Sequence, residues 1–112
     1  MEISFSNKKL AKVCNSGKEM QAKHGKRMAE KLQQRLAELR GAETLADMRA
    51  FPAARCHELT GNLSGMLAVD LVHPDRLVFS PDHNPIPKLP DGGLDWSNVT
   101  RILIEGIGDY HG

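Results

Sequence analysis

Residues 18–40 place Met20, His24, Met28, Leu32, Leu36 and Leu39 at steps of three and four, so one face of a helix is apolar along its whole length. That spacing predicts one long helix over 18–40, with Gly41 as its C-terminal stop. A helix with a single apolar face must bury it against another layer, and a chain of 112 residues has room for one such core. Residues 1–112 are therefore read as a single domain.

The covering layer is legible on both sides of this helix. Residues 1–5 set Ile3 and Phe5 against Glu2 and Ser4, the alternation of a half-buried strand. Asn7 suits an N-cap for a short helix through Leu10, Val13 and Cys14, which Asn15-Ser16-Gly17 stops. Thr44 and Asp47 have the spacing of a capping box for a further turn ahead of Pro52. Beyond Pro52 the pattern turns extended. Residues 55–59, 65–72 and 76–79 are Leu- and Val-rich runs parted by turn chemistry at Thr60-Gly61-Asn62 and His73-Pro74-Asp75, which predicts a meander. Residues 99–105 are apolar at both parities, as in an interior strand, and close the sheet. Between them, 81–98 holds four of the six prolines and Gly92-Gly93, and is expected as a loop insertion. It is either a plain surface insertion or, if it lies beside the functional face, a lid whose Lys88 and Trp96 touch a partner. The outline β-α-α-β-β-β gives an α+β fold of two layers, a helical half on an antiparallel sheet.

Composition narrows the function classes. Apolar residues make up 40% of the chain and charged residues 26%, too apolar for a disordered protein. No apolar run approaches the roughly 20 residues of a membrane span, and MEISFSNKKL lacks the apolar stretch of a signal peptide, so a cytoplasmic protein without membrane contact is expected. Five aromatic residues are too few for a broad base-stacking platform. Cys14 and Cys56 lack metal-site spacing and suit core filling, so no metal and no cofactor is expected. The net charge of +1 conceals an asymmetry: residues 1–55 carry twelve Lys/Arg against six Asp/Glu, and 56–112 carry three against eight. A basic helical half permits contact with nucleic-acid phosphates, and equally a solvated helix face.

Three segments carry a resemblance: Arg55-Cys56-His57-Glu58-Leu59-Thr60-Gly61, the strand Arg76-Leu77-Val78-Phe79, and the terminal Asp109-Tyr110-His111. In this order they resemble the RelE/ParE toxin superfamily, and within it the HigB-like plasmid maintenance killer branch. The resemblance covers nearly the whole chain apart from 81–98. It implies a RelE-like fold, and an mRNA interferase that cuts messages in the ribosomal A site. It also implies a cognate antitoxin, HigA-like with a helix-turn-helix, through which alone the complex meets operator DNA.

Attack by an internal 2′-hydroxyl on its phosphodiester needs a proton acceptor, charge stabilisation on the phosphate, and a proton donor for the 5′-oxygen; a metal is not required. On the resemblance, His111 moves protons, since an imidazole of pKa ~6.5 exchanges them near neutrality. Tyr110 positions the phosphate or stacks on a base, and Asp109 orients its neighbours. Arg76, at the start of a strand, grips the phosphate bidentately or else pairs with Asp75, Asp70 or Glu105. His57 shares proton transfer or is a hydrogen-bonded core histidine. Arg55, Lys23, Lys26 and Arg27 are candidate backbone contacts.

Two departures matter. Thr60 stands where related toxins often carry Lys, and Gly106-Ile107-Gly108 is expected to interrupt the last strand and make the tail costly to order. Two other functions are therefore weighed: a ParE-like inhibitor of DNA gyrase, and an impaired toxin acting as a binding or regulatory partner.

Overall fold

In the computed structural model, which describes residues 1–110, the helical half begins where Asn7 Oδ1 accepts the Leu10 N–H at 2.8 Å and caps α1 (Lys8–Cys14). Ser16, expected as part of a stop, instead caps α2 (Gly17–His24) by accepting the Glu19 N–H. The predicted single helix over 18–40 is in fact two. Gly25, at φ 84°, ends α2 and starts α3 (Lys26–Gly41), a backbone conformation that glycine adopts without a Cβ clash. Both pieces of the apolar stripe are still buried together: Met20 on α2 and Leu32, Leu36 and Leu39 on α3 all lie in one core. Among the described residues no helix is long and apolar enough to cross a membrane.

The sheet comprises β1 (Glu2–Phe5), β2 (His57–Glu58), β3 (Leu67–Asp70), β4 (Arg76–Pro81) and β5 (Arg101–Gly108) in the order β1-β5-β4-β3-β2. Strands β2 to β5 form the antiparallel meander, and β1 lies parallel to β5, pairing Glu2 with Arg101 through Phe5 with Ile104. The element order is thus β-α-α-α-β-β-β-β, an α+β fold.

Strand boundaries differ from expectation: β3, expected over 65–72, spans only Leu67–Asp70. β2 is cut to two residues because Arg55 adopts a left-handed φ of 48° at the end of the 3-10 turn Pro52–Ala54. β4 continues to Pro81, which ends the ladder opposite Ile102. β5 runs through Gly106-Ile107-Gly108, where an interruption was expected. It is interior, with Ile102 and Ile104 buried on the helix side and Leu103 and Glu105 half-buried on the other.

The two faces differ. Leu67, Val69, Leu77, Phe79, Ile102 and Ile104 meet the helices in the main core. Opposite them, Leu59, Ala68 and Val78 form a smaller cluster, covered in part by Leu63, Met66 and Tyr110. Arg35, only 2% exposed, ties the layers together. It donates to the Asp70 carbonyl at 2.8 Å, the Ala53 carbonyl at 3.0 Å and the Glu38 carboxylate at 3.0 Å, so its buried charge is fully satisfied.

The 81–98 loop is held at both ends. Asp82 N–H donates to the Arg101 carbonyl, and His83 Nε2 accepts the N–H groups of Thr100 and Arg101. Trp96 packs on the main core, lies under Arg49 at 4.7 Å, and donates to the Glu58 carboxylate at 3.2 Å.

Candidate functional site

The end of β5 carries the first part of the site. Gly106 pairs with Val78 and Gly108 with Arg76, and the Tyr110 ring lies over both glycines. A Cβ on Gly106 would stand 2.5 Å from Tyr110 Oη, and one on Gly108 3.3 Å from Cε2. The glycines therefore do not loosen the strand; they make the seat on which the ring rests. Arg76 Nη1 fixes that ring's backbone by donating to the Tyr110 carbonyl at 2.9 Å.

Arg76 is not a free cation. Its Nε lies 3.6 Å from Asp70 Oδ1, the ion pair left open by the sequence, and its side chain is only 15% exposed. Asp70 also accepts from Arg55 Nε at 2.8 Å and from Nη2 at 3.4 Å. That hydrogen bond, then the carboxylate's charge, raises the Arg55 pKa above its ordinary value. One carboxylate is thus shared by both arginines.

His57 faces the same side of the sheet, in the cross-strand row His57, Ala68, Val78, Gly106. Three inter-strand steps put it roughly 14 Å from the β5 backbone. Its Nδ1 lies 2.7 Å from the Arg55 carbonyl, to which it donates. His57 and Tyr110 are therefore on one face without being brought together.

Beyond Ile104, where Ser6 N–H makes the last ladder bond, β1 turns away from β5. A cleft of about 240 Å³ opens there, lined by Asn7, Lys9, Lys23, His24, Glu105 and Tyr110 over an apolar floor of Leu10, Val13 and Ile107. Glu105 borders it at a β-bulge: the register shift between Val78 and Phe79 leaves Glu105 without a register partner on β4. Ser80 Oγ donates to Glu105 Oε2 at 2.9 Å and holds the carboxylate in place.

Of the candidate phosphate contacts, Lys23 lines this cleft. Arg27 lies in a separate groove with His73, next to the groove of Arg55 and Arg76. Lys26 is exposed at the start of α3 and lines neither. Lys88 and Trp96 do not border the cleft. Asp109 is the single residue between β5 and Tyr110, and His111 lies outside the described residues. Sequence reasoning gave no binding role to Lys9 or His24 and named Glu105 only as a possible partner of Arg76; all three border the cleft. Cys14 and Cys56 sit away from the cleft lining, and burial pushes their thiols up to about 11 and about 12. Among the described residues no group of three His, Cys, Asp or Glu is placed to hold a metal ion.

A two-layer α+β fold with its last strand ending under a pinned tyrosine is thus the class to which the chain belongs structurally. No protein-family model matches the sequence, and no curated protein matches it. Among solved structures it is similar to a YoeB/ParE toxin from Agrobacterium tumefaciens, with a TM-score of 0.55 and 11% identity over 99% of this chain and 100% of that one. The likeness is one of fold.

Proposed function

We propose that the chain is the toxin of a bacterial type II toxin-antitoxin system, a single RelE/ParE-superfamily domain of the HigB-like branch. Its activity in this reading is ribosome-dependent cleavage of mRNA in the cytoplasm by metal-free acid-base chemistry. The observation that carries the reading is the Arg76 bond to the Tyr110 carbonyl, which with the Gly106 and Gly108 seat holds Tyr110 in a fixed place. A held Tyr110 is one thing that a site built on Asp109, Tyr110 and His111 requires. The YoeB/ParE-like fold supports it. The partners are a HigA-like antitoxin, mRNA on the ribosome, and operator DNA through the antitoxin complex.

The engagement of Arg76 by Asp70 favours, as a second reading, a toxin homologue weak in catalysis that acts by binding. Induced expression with mapping of mRNA 5′ ends separates the readings. Growth arrest with new ends inside codons, abolished by Tyr110→Ala or His111→Ala, supports the nuclease. Arrest with DNA damage and intact mRNA supports a gyrase inhibitor of the ParE kind, and absence of arrest without antitoxin supports the binding protein.

A further inference from the structure

Resting on that reading, we propose that Asp70 is an autoinhibitory carboxylate: it fills the anion seat between Arg55 and Arg76, and an RNA phosphodiester binds there by displacing it. The hydrogen bonds carry the inference. Arg55 spends Nε and Nη2, one whole edge of its guanidinium, on the Asp70 carboxylate at 2.8 and 3.4 Å, and such an edge is what grips a phosphate bidentately. Arg76 turns its Nε to the same carboxylate at 3.6 Å. Two cations from different segments thus converge on one carboxylate, which stands where an anion held by both would stand. Asp75 lines the same groove and is ion-paired with neither arginine among the described residues.

Displacement is local. Asp70 pairs with Arg76 across β3 and β4, and its carbonyl accepts Arg35 Nε at 2.8 Å, so the backbone stays held while a side-chain rotation releases the carboxylate. The Arg55 side chain is 56% exposed, and solvent screens an ion pair of that kind enough for a phosphate to replace it. Arg76 keeps Nη1 on the Tyr110 carbonyl at 2.9 Å, so a phosphate taken by the same guanidinium lies next to Tyr110.

The groove favours a polymer over a free anion. Its volume of about 210 Å³ falls below the roughly 300–1,000 Å³ of pockets that enclose a whole small molecule, and suits one charged group on a longer chain. Leu71 and His73 line both this groove and the adjoining one, where Arg27 and Lys31 outnumber Glu30. A polyanion leaving the arginine pair therefore meets two more cations, which a lone phosphate would not reach.

The test titrates the full chain with an RNA trinucleotide carrying 2′-O-methyl groups, which binds without being cut. In the wild type, the Nε–H signals of Arg55 and Arg76 should shift saturably; signals that stay still overturn the inference without recourse to any variant. Asp70→Asn keeps the shape of the side chain and removes its charge, and should tighten binding about tenfold or more, the worth of one charge-assisted hydrogen bond. Asp75→Asn removes the same charge from the same groove without freeing an arginine, and should tighten binding far less. Equal gains in the two variants reduce the effect to bulk charge and overturn the lock, as does unchanged or weaker binding by Asp70→Asn. In message cleavage on ribosomes, Asp70→Asn should lower KM and leave kcat within a few-fold; a fall in kcat with KM unmoved makes Asp70 a part of the chemistry and overturns its role as a lock. Tighter binding by Asp70→Asn in a chain that cuts no message sinks the nuclease reading and keeps the lock. Cleavage by the wild type with no gain in Asp70→Asn does the reverse.

Discussion

Gly106→Ala is a small change with a large expected consequence. Its Cβ stands 2.5 Å from Tyr110 Oη and 3.2 Å from Cζ, where ordinary contacts begin near 3.4 Å, so the hydroxyl must retreat by about 0.9 Å (3.4 − 2.5). The ring is rigid and its backbone is held by Arg76 at 2.9 Å, so the Tyr110 backbone is pushed along with it. A displacement near 1 Å costs about 10²-fold in rate when it misaligns a reacting geometry. Stability moves little, because alanine regains roughly 0.5–1 kcal/mol over glycine in a strand interior and so offsets lost tail packing. The assay is single-turnover mRNA cleavage on programmed ribosomes, repeated in a Tyr110→Phe background where the offending oxygen is gone. G106A is expected to slow the wild type about 10²-fold and the Tyr110→Phe protein only a few-fold, a coupling that a double-mutant cycle reads directly. Equal losses in both backgrounds, or none in the first, refute the steric account.

Other expectations are independent of that geometry. Arg35→Ala strips the partner from Glu38 and orphans the carbonyls of Asp70 and Ala53, so it should destabilise by about 3–5 kcal/mol and lower the thermal midpoint by roughly 15 °C. A melting curve within a few degrees of wild type contradicts this, and Arg35→Met, which keeps the packing, should fall between the two. Arg76→Lys cannot fork to both Asp70 and the Tyr110 carbonyl. Loss of a charged hydrogen bond worth about 1.5–3 kcal/mol should broaden or shift the ring signals of the chain's single tyrosine; an unchanged spectrum speaks against the tether. The thiols of Cys14 and Cys56 are raised from 9.0 to about 11 and about 12 by burial, so the native state holds their protons more tightly than the unfolded state. Their contribution to stability is whole below pH 9 and is lost as pH climbs toward 11 to 12. Urea midpoints should decline across that window, and native-state alkylation at pH 8 should be slow; rapid labelling without denaturant contradicts the burial.

The layers were legible because burial imposes a period. Ile3 and Phe5, the Leu32-Leu36-Leu39 stripe and Ile102-Ile104 all lie where alternation or helical spacing put them. The break at Gly25 was not, because Met20, His24, Met28 and Leu32 keep a helical spacing in the sequence across it, and a hydrophobic pattern does not register backbone continuity. Arg35 occupies a buried helix position that polarity assigns to solvent, and only three oxygen partners from distant segments make it tenable. At the site, Arg76, Tyr110 and His57 lie on one sheet face, and Lys23 lies at the cleft. The ion pair that ties Arg76 to Asp70 is a cross-strand neighbour relation, visible only once the register is known. Gly106 and Gly108 misled for a related reason: glycine reads as flexibility until the ring that fills its empty side is seen.

The central claim is that this chain cuts mRNA on the ribosome by internal transesterification. Purified protein added to ribosomes programmed with a defined message should yield one cut within the A-site codon, bearing a 2′,3′-cyclic phosphate and a 5′-hydroxyl, and Tyr110→Ala should abolish it. Intact message at stoichiometric protein, or ends carrying a 5′-phosphate, would contradict it.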